Sequence, residues 1–268
     1  MLSDHRPFHA LVDVMARLRA PDGCPWDREQ DHQSLKPYLI EEAYEVLEAI
    51  DNEDGELCSE LGDVLLQVVF HAQVATEDKR FDIDDVCQAI VDKLIRRHPH
   101  VFGDTKVDDS EHVVTNWEAI KKQERQTETG PPPSALDGVP PQLPALLRAQ
   151  RVQEKARRAG FDWQEITGPL DKVSEEFEEL REVIAEGDAA GQERVAEEFG
   201  DLLFALVNVG RHLDLVPEDA LRLAVGKFDD RFRAMEHIVQ ERGQQLADMD
   251  LEAMDAVWNQ VKESGAAT

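Results

Sequence analysis

Apolar residues recur along most of this chain at intervals of three and four. In "YLIEEAYEVLEAI", Tyr38 to Ile50, the residues Leu39, Ala43, Val46, Leu47 and Ile50 share one stripe at about 100° per residue. Leu61, Val64, Leu65, Val68 and Ala72 make a second stripe. Both predict helices with that stripe turned to a core. Between them lies "DNEDGE", Asp51 to Glu56, a polar turn with one glycine, and so short a connection makes antiparallel neighbours. The texture returns in "DKVSEEFEELREVI", Asp171 to Ile184, followed by a loop holding Gly187 and Gly191. Strand-like alternation is almost absent, so the predicted fold class is all-α.

One segment breaks the pattern. "TETGPPPSALDGVPPQLP", Thr127 to Pro144, carries six prolines that no single helix accommodates. It reads as a semi-rigid linker. The flanking halves match in register. "GCPWD" at Gly23 answers "GFDW" at Gly160, and "SELGDVLLQVV" at Ser59 answers "EEFGDLLFALV" at Glu197. "KLIRR" at Lys93 answers "KFDDR" at Lys227, and "NWEAIKK" at Asn116 answers "VWNQVKE" at Val257. The expected organisation is an internal duplication: residues 1–126, a linker at 127–144, and residues 145–268.

Composition narrows the function. Hydrophobic residues make up 41% of 268, enough for a core, while the net charge is −28. That acidity argues against nucleic acid and against an anionic membrane surface as partners. No run approaches the ~18 apolar residues of a membrane span. Cys24, Cys58 and Cys87 form no C-x-x-C pair, which disfavours a disulfide framework or a zinc site. With no cleavable signal pattern in the first residues, a reducing, cytoplasmic setting is expected.

The charge matters most where it touches the stripes. Glu42 and Glu45 sit together on the flank of the first, Glu60 and Asp63 on that of the second. Folding the hairpin about its turn sets Glu42 opposite Asp63 and Glu45 opposite Glu60. The second half repeats the design, with Glu176 opposite Asp201 and Glu179 opposite Glu198. Four carboxylates beside a core repel one another, so their pKa values rise or a cation holds them. An all-oxygen set suits Mg²⁺, Mn²⁺ or Ca²⁺ rather than zinc. Mg²⁺ commonly completes its shell with water and phosphate, which points to a phosphorylated substrate. A ferritin-like redox bundle would need E-x-x-H on the paired helices, whereas the partner positions here are Glu and Asp.

A phosphate chain also needs protein cations. Lys93 with Arg97, and Lys227 with Arg231, are each spaced to share one helix face. Trp117 with Lys121, and Trp258 with Lys262, form another repeated pair, an indole to stack on a base and an ammonium to reach phosphate. The alternative is a packed indole with a lysine lying over it. Trp26 and Trp163 are expected to anchor the core. Asn208, seven residues after Asp201, leans toward the same site, and His98 and His100 belong to a structured loop.

Together, E-E-x-x-E and E-x-x-D on paired helices resemble the all-α nucleoside triphosphate pyrophosphohydrolases. The stretches "CPWDREQDHQSLKPYLIEEAYEVLEAI", "ELGDVLLQVVFHAQ", "LPALLRAQRVQEKARRAGFDW" and "EEFGDLLFALVN" carry the likeness to their duplicated, MazG-like members over nearly the whole chain. The resemblance implies tandem helical bundles, a homodimer, and Mg²⁺-dependent hydrolysis of NTP to NMP and pyrophosphate. It also implies broad base tolerance and a housecleaning role in the nucleotide pool. Glu176, Glu179, Glu198 and Asp201 would hold the metal, with Glu42, Glu45, Glu60 and Asp63 as counterparts. Glu175 and Glu41 would orient the attacking water. Lys227, Arg231, Trp258 and Lys262 would contact the nucleotide, with Lys93, Arg97, Trp117 and Lys121 as counterparts. The resemblance favours the C-terminal half as the main catalytic one. The alternative for the N-terminal half is a non-catalytic nucleotide sensor or interaction module.

Overall fold

The computed structural model describes residues 7–52, 55–109, 112–114, 116–117, 119–120, 124, 134–187 and 191–264. All regular structure among them is helical. The chain divides into two compact units, Met1–Glu128 and Thr129–Thr268. Of the expected linker, residues 127–133 lie outside the described residues. No helix among the described residues is long and apolar enough to cross a membrane.

The first unit contains α1 (Pro7–Leu18), α2 (Pro25–Glu29), α3 (Lys36–Asn52), α4 (Leu57–Glu77), α5 (Ile83–Arg97) and α6 (Pro99–Phe102). Proline opens α2 and α6, where a missing N–H costs nothing. Asp82 starts α5 with a reciprocal cap: its side chain accepts from the Asp85 N–H, and the Asp85 side chain accepts from the Asp82 N–H. Gly55, at φ +84°, makes the left-handed step in the turn between α3 and α4. Their hairpin packs against α1 through the C-terminal half of α4. There Met15, Leu35, Val69, Phe70 and Val74 form a buried cluster, with Phe8, Leu11 and Leu66 around it. His98 ends α5, its Nδ1 2.7 Å from the Leu94 carbonyl oxygen.

The second unit contains α7 (Ala145–Arg158), α8 (Thr167–Ala185), α9 (Gln192–His212), α10 (Pro217–Glu241), a 3₁₀ turn (Leu246–Asp248) and α11 (Leu251–Ser264). α8 and α9 form its hairpin, and α7 packs against α9. Met235, Val239, Val257 and Val261 join α10 to α11, with Trp258 packed alongside.

The predicted stripes are only partly covered. Ala49 is the one fully buried residue among those described in α3, while Leu39 is 38% exposed and Ile50 51%. On α4, Ala72 is buried, but Leu61 is 52% exposed and Leu65 39%. The face of α4 that enters the core is shifted to Gln67, Val69, Phe70, Val74 and Ala75. α1 packs beside the C-terminal half of α4, where Met15 joins Val69, Phe70 and Val74, and Leu61 and Leu65 lie outside that cluster. Trp26 and Trp163 do not anchor the core either: both are about half exposed, Trp26 edge-on to the exposed Tyr38 and Trp163 against Gly168.

Candidate active site

The first hairpin brings Glu42, Glu60 and Asp63 together, each offering one oxygen within 4.8 Å of the others. Burial, reinforced by the charges of Asp63 and Glu45, pushes the Glu42 carboxyl above its ordinary range, against a hydrogen bond from Gln67. That bond runs from Gln67 Nε2 to Glu42 Oε1 at 3.3 Å. Glu45 lies outside the trio and is exposed, as is Glu41. Glu45 nonetheless stays close to Glu42, with which it shares a side-chain hydrogen bond.

In the second hairpin two trios share Glu176. Glu176, Glu198 and Asp201 form one, and Glu175, Glu176 and Glu179 the other, each with oxygens within 4.8 Å. Glu176 is only 5% exposed. Lys172, one turn earlier, places its Nζ 2.8 Å from Glu175 Oε1 and 2.6 Å from Glu176 Oε1. The hydrogen bonds to Glu175 and Glu176 push the Lys172 ammonium well above its usual range. Glu179 is pushed up, first by desolvation and then by the Glu176 charge, with Lys172 opposing. The cluster thus gathers a side-chain cation to itself, as an unbalanced set of carboxylates should.

A cavity of about 430 Å³ opens beside this cluster, lined by Lys172, Glu176 and Asp201. Phe161, Trp163 and Phe204 supply aromatic wall, and Asn208 and Arg211 supply polar wall. Trp163 reaches the cavity over Gly168. A Cβ on that glycine would meet the indole Cδ1 at 2.1 Å, so only glycine admits this approach. Behind the wall, Arg211 bonds Asp162 at 2.9 and 2.5 Å and Asn208 Oδ1 at 3.0 and 2.6 Å. His212 Nε2 lies 3.2 Å from Asp162 Oδ1. Burial pushes the Asp162 carboxyl up, yet Arg211 and His212 outweigh it and hold it below its ordinary range.

The expected nucleotide contacts are more scattered. Lys227 is exposed and Arg231 half-buried on α10, and Lys262 is exposed on α11. Trp258 packs its ring 5.2 Å from that of Phe228. None of these four lines the cavity. In the first unit Lys93 is exposed, and Arg97 is bonded to Glu124 at 2.7 Å. Arg97 and Arg96 together hold the Glu124 carboxyl down at about 2. Trp117 stands edge-on to His98 at 5.1 Å, its indole nitrogen buried without a partner. Lys121 lies outside the described residues.

Sequence reasoning passed over Lys172, Asp162, Arg211 and Gln153. The duplication drew attention to residues shared by both halves, and these are not shared. The matching positions hold Tyr38, Pro25, Gln73 and Ala16. Departures from the repeat were the signal that would have found them. Asn208, which spacing did single out, does line the cavity with Asp201; its counterpart is Phe70.

Known proteins give this geometry a context. Residues 30–102, which contain the first hairpin, match the MazG nucleotide pyrophosphohydrolase domain. The chain is 50% identical to a nucleoside triphosphate pyrophosphohydrolase of Escherichia coli (strain K12) over 256 residues, 94% of this chain and 95% of that protein. It is 46% identical to the nucleoside triphosphate pyrophosphohydrolase/pyrophosphatase MazG of Thermotoga maritima, covering 95% of each. A nucleoside triphosphate pyrophosphohydrolase of Mycolicibacterium smegmatis is 37% identical over 85% of this chain and 70% of its own length. With half of its positions identical to such a relative along nearly its whole length, the chain belongs to the MazG family.

Proposed function

We propose that the chain is a divalent-metal-dependent nucleoside triphosphate pyrophosphohydrolase, releasing NMP and pyrophosphate, and that the second hairpin is its main catalytic site. The relatives named above carry that activity in their names. The observation that carries the reading is the shared-Glu176 cluster at the mouth of a cavity, with an ammonium drawn into it.

Oxygen-only donors in this number fit Mg²⁺, with Mn²⁺ as an alternative. Glu176, Glu198, Asp201 and Glu179 would hold it, and Glu42, Glu60, Asp63 and Glu45 are their first-hairpin counterparts. Bound there, such an ion supplies Lewis-acid polarisation of phosphate and a more acidic water. The chain's own groups do the rest. Glu175, exposed beside Glu176, would orient the attacking water; Glu41 is its counterpart. Lys172, paired with Glu175 and Glu176, would supply positive charge to the phosphates. Lys227, Arg231 and Lys262 balance charge on the departing pyrophosphate. A triphosphate substrate and the chain's acidity both fit a small-molecule enzyme rather than a nucleic-acid binder.

A homodimer fits the uncovered apolar positions. Phe177 is 50% exposed on α8 and Phe199 52% on α9, apolar surface that a second copy would cover. Free Cys24, Cys58 and Cys87 suit a reducing, cytoplasmic setting. The linker at 127–144 and the tandem duplication are part of the same reading, as are broad base tolerance and nucleotide housecleaning.

A second reading applies to the first half alone: a nucleotide sensor that does not turn over. Its support is that Arg97 is held by Glu124 and that no lysine matches Lys172 there. The test is product analysis with Mg²⁺ and an NTP panel, run on the paired variants Glu176→Gln/Asp201→Asn and Glu42→Gln/Asp63→Asn. NMP and pyrophosphate lost only with the first pair is the expected result. NDP and orthophosphate as products would sink the assignment.

A further inference from the structure

Gln153 on α7 is 6% exposed and lines the cavity beside Glu176 and Asp201. Its Nε2 donates to the Phe204 carbonyl oxygen at 2.8 Å. A carbonyl only accepts, so this bond fixes which way round the amide lies. The remaining Oε1 is an acceptor, and it is buried without a partner. Buried polar atoms are overwhelmingly paired, so an orphan in the wall of a cavity calls for a donor from outside the chain.

The neighbouring wall narrows what that donor belongs to. Asn208 is 8% exposed, and its Oδ1 is already engaged by Arg211, which only donates. Its Nδ2 is therefore the end left to face a ligand. Phe161, Trp163 and Phe204 present aromatic surface in the same cavity. A flat, aromatic ligand with an N–H and an acceptor on one edge matches these groups. Lys172, at the same cavity, supplies a cation for an anion attached to that ligand. A nucleobase bearing a phosphate chain has each of these properties.

We propose that this cavity receives the nucleobase and that Gln153 Oε1 accepts a hydrogen bond from an N–H on the base's polar edge. The proposal rests on the pyrophosphohydrolase reading and adds a specificity-determining residue to it. It sets the base against Trp163 rather than Trp258, whose indole is packed on Phe228. The common bases all carry such an N–H, so the contact tolerates several of them. It rejects a base that has none. The first half has Ala16 at the matching position and no such acceptor.

The probe is purine riboside triphosphate, which is ATP with its exocyclic amine replaced by hydrogen. With the full-length protein and Mg²⁺, ATP is expected to exceed it in kcat/KM by about tenfold or more, since a site built around a hydrogen bond rejects the analogue that lacks it. In Gln153→Leu and Gln153→Met the two values should converge. A merely structural glutamine would lower both together and keep their ratio. A wild-type ratio near one, or an unchanged ratio in a folded variant, overturns the proposal. If no triphosphate is hydrolysed, the pyrophosphohydrolase reading fails on its own, and calorimetric binding of the same two nucleotides decides the pocket: tighter ATP supports it and equal affinity overturns it.

Discussion

The two hairpins place carboxylates in the same way and surround them differently. In the first, the trio is backed by Gln67, and the positions beyond it on α4 hold Phe70 and Val74, which are core. In the second, the matching positions on α9 hold Asn208 and His212, and Arg211 binds Asp162 between them. Apolar residues occupy those positions in the first unit; polar ones line a cavity in the second. Similar clusters thus stand on different ground, and that ground bears on what a ligand would meet.

The sharpest way to break this comparison is to remove the acids one hairpin at a time. Glu176→Gln/Asp201→Asn should lower kcat on the order of 10³-fold, the scale of losing a preorganised charge-stabilising group. Glu42→Gln/Asp63→Asn should leave it within about twofold, as for independent sites. Equal losses in steady-state assays would show that the hairpins work as equals.

Next in size is the wall of the second cavity. Arg211 and Asp162 are 9% and 15% exposed at their side chains, so each relies on the other for charge balance. Asp162→Ala should cost about 3 kcal/mol, because it strands a buried guanidinium. Arg17→Ala in the first unit breaks a bridge to Asp22 whose partners are 63% and 74% exposed, and should leave the midpoint nearly unchanged. Urea midpoints measure both. Gly168→Ala should cost about 1–3 kcal/mol by driving the Trp163 indole off its seat, and near-ultraviolet circular dichroism would register the move.

The mildest test is acid titration. The Glu124 carboxyl falls from 4.5 to about 2 on folding, and that of Asp162 is also lowered. A lowered carboxyl pKa adds stability that is complete above the unfolded value and fades as pH falls through the folded one. Between about pH 4.5 and 2, Glu124→Gln should flatten the loss arising in the first unit, and Asp162→Asn should flatten the loss that sets in as pH falls below 3.8 in the second. Unchanged slopes in both variants would remove these pairs from the account.

Much of this was legible beforehand because helical period and carboxylate spacing are local properties. Glu42 and Asp63 meet because a short turn with Gly55 folds one period back on another. Which apolar residues become covered was not legible. Leu39, Ile50 and Leu61 belong to a valid amphipathic face, but a face does not say what chain will lie on it. Trp26 and Trp163 misled because turn residues beside an indole do not say whether a second element arrives to bury it. Lys172, Gln153, Asp162 and Arg211 were hidden by symmetry: a reading built on repetition discounts whatever occurs once.

The seating of Trp163 over Gly168 has a practical consequence. Among the four tryptophans, Trp26, Trp117, Trp163 and Trp258, it is the one in the cavity wall. The residue is also 44% exposed, so water bears on its emission whenever nothing else lies against it. The protein therefore carries an optical gauge at its own doorway, and fluorescence from an unlabelled sample can report arrivals there before any bond is broken.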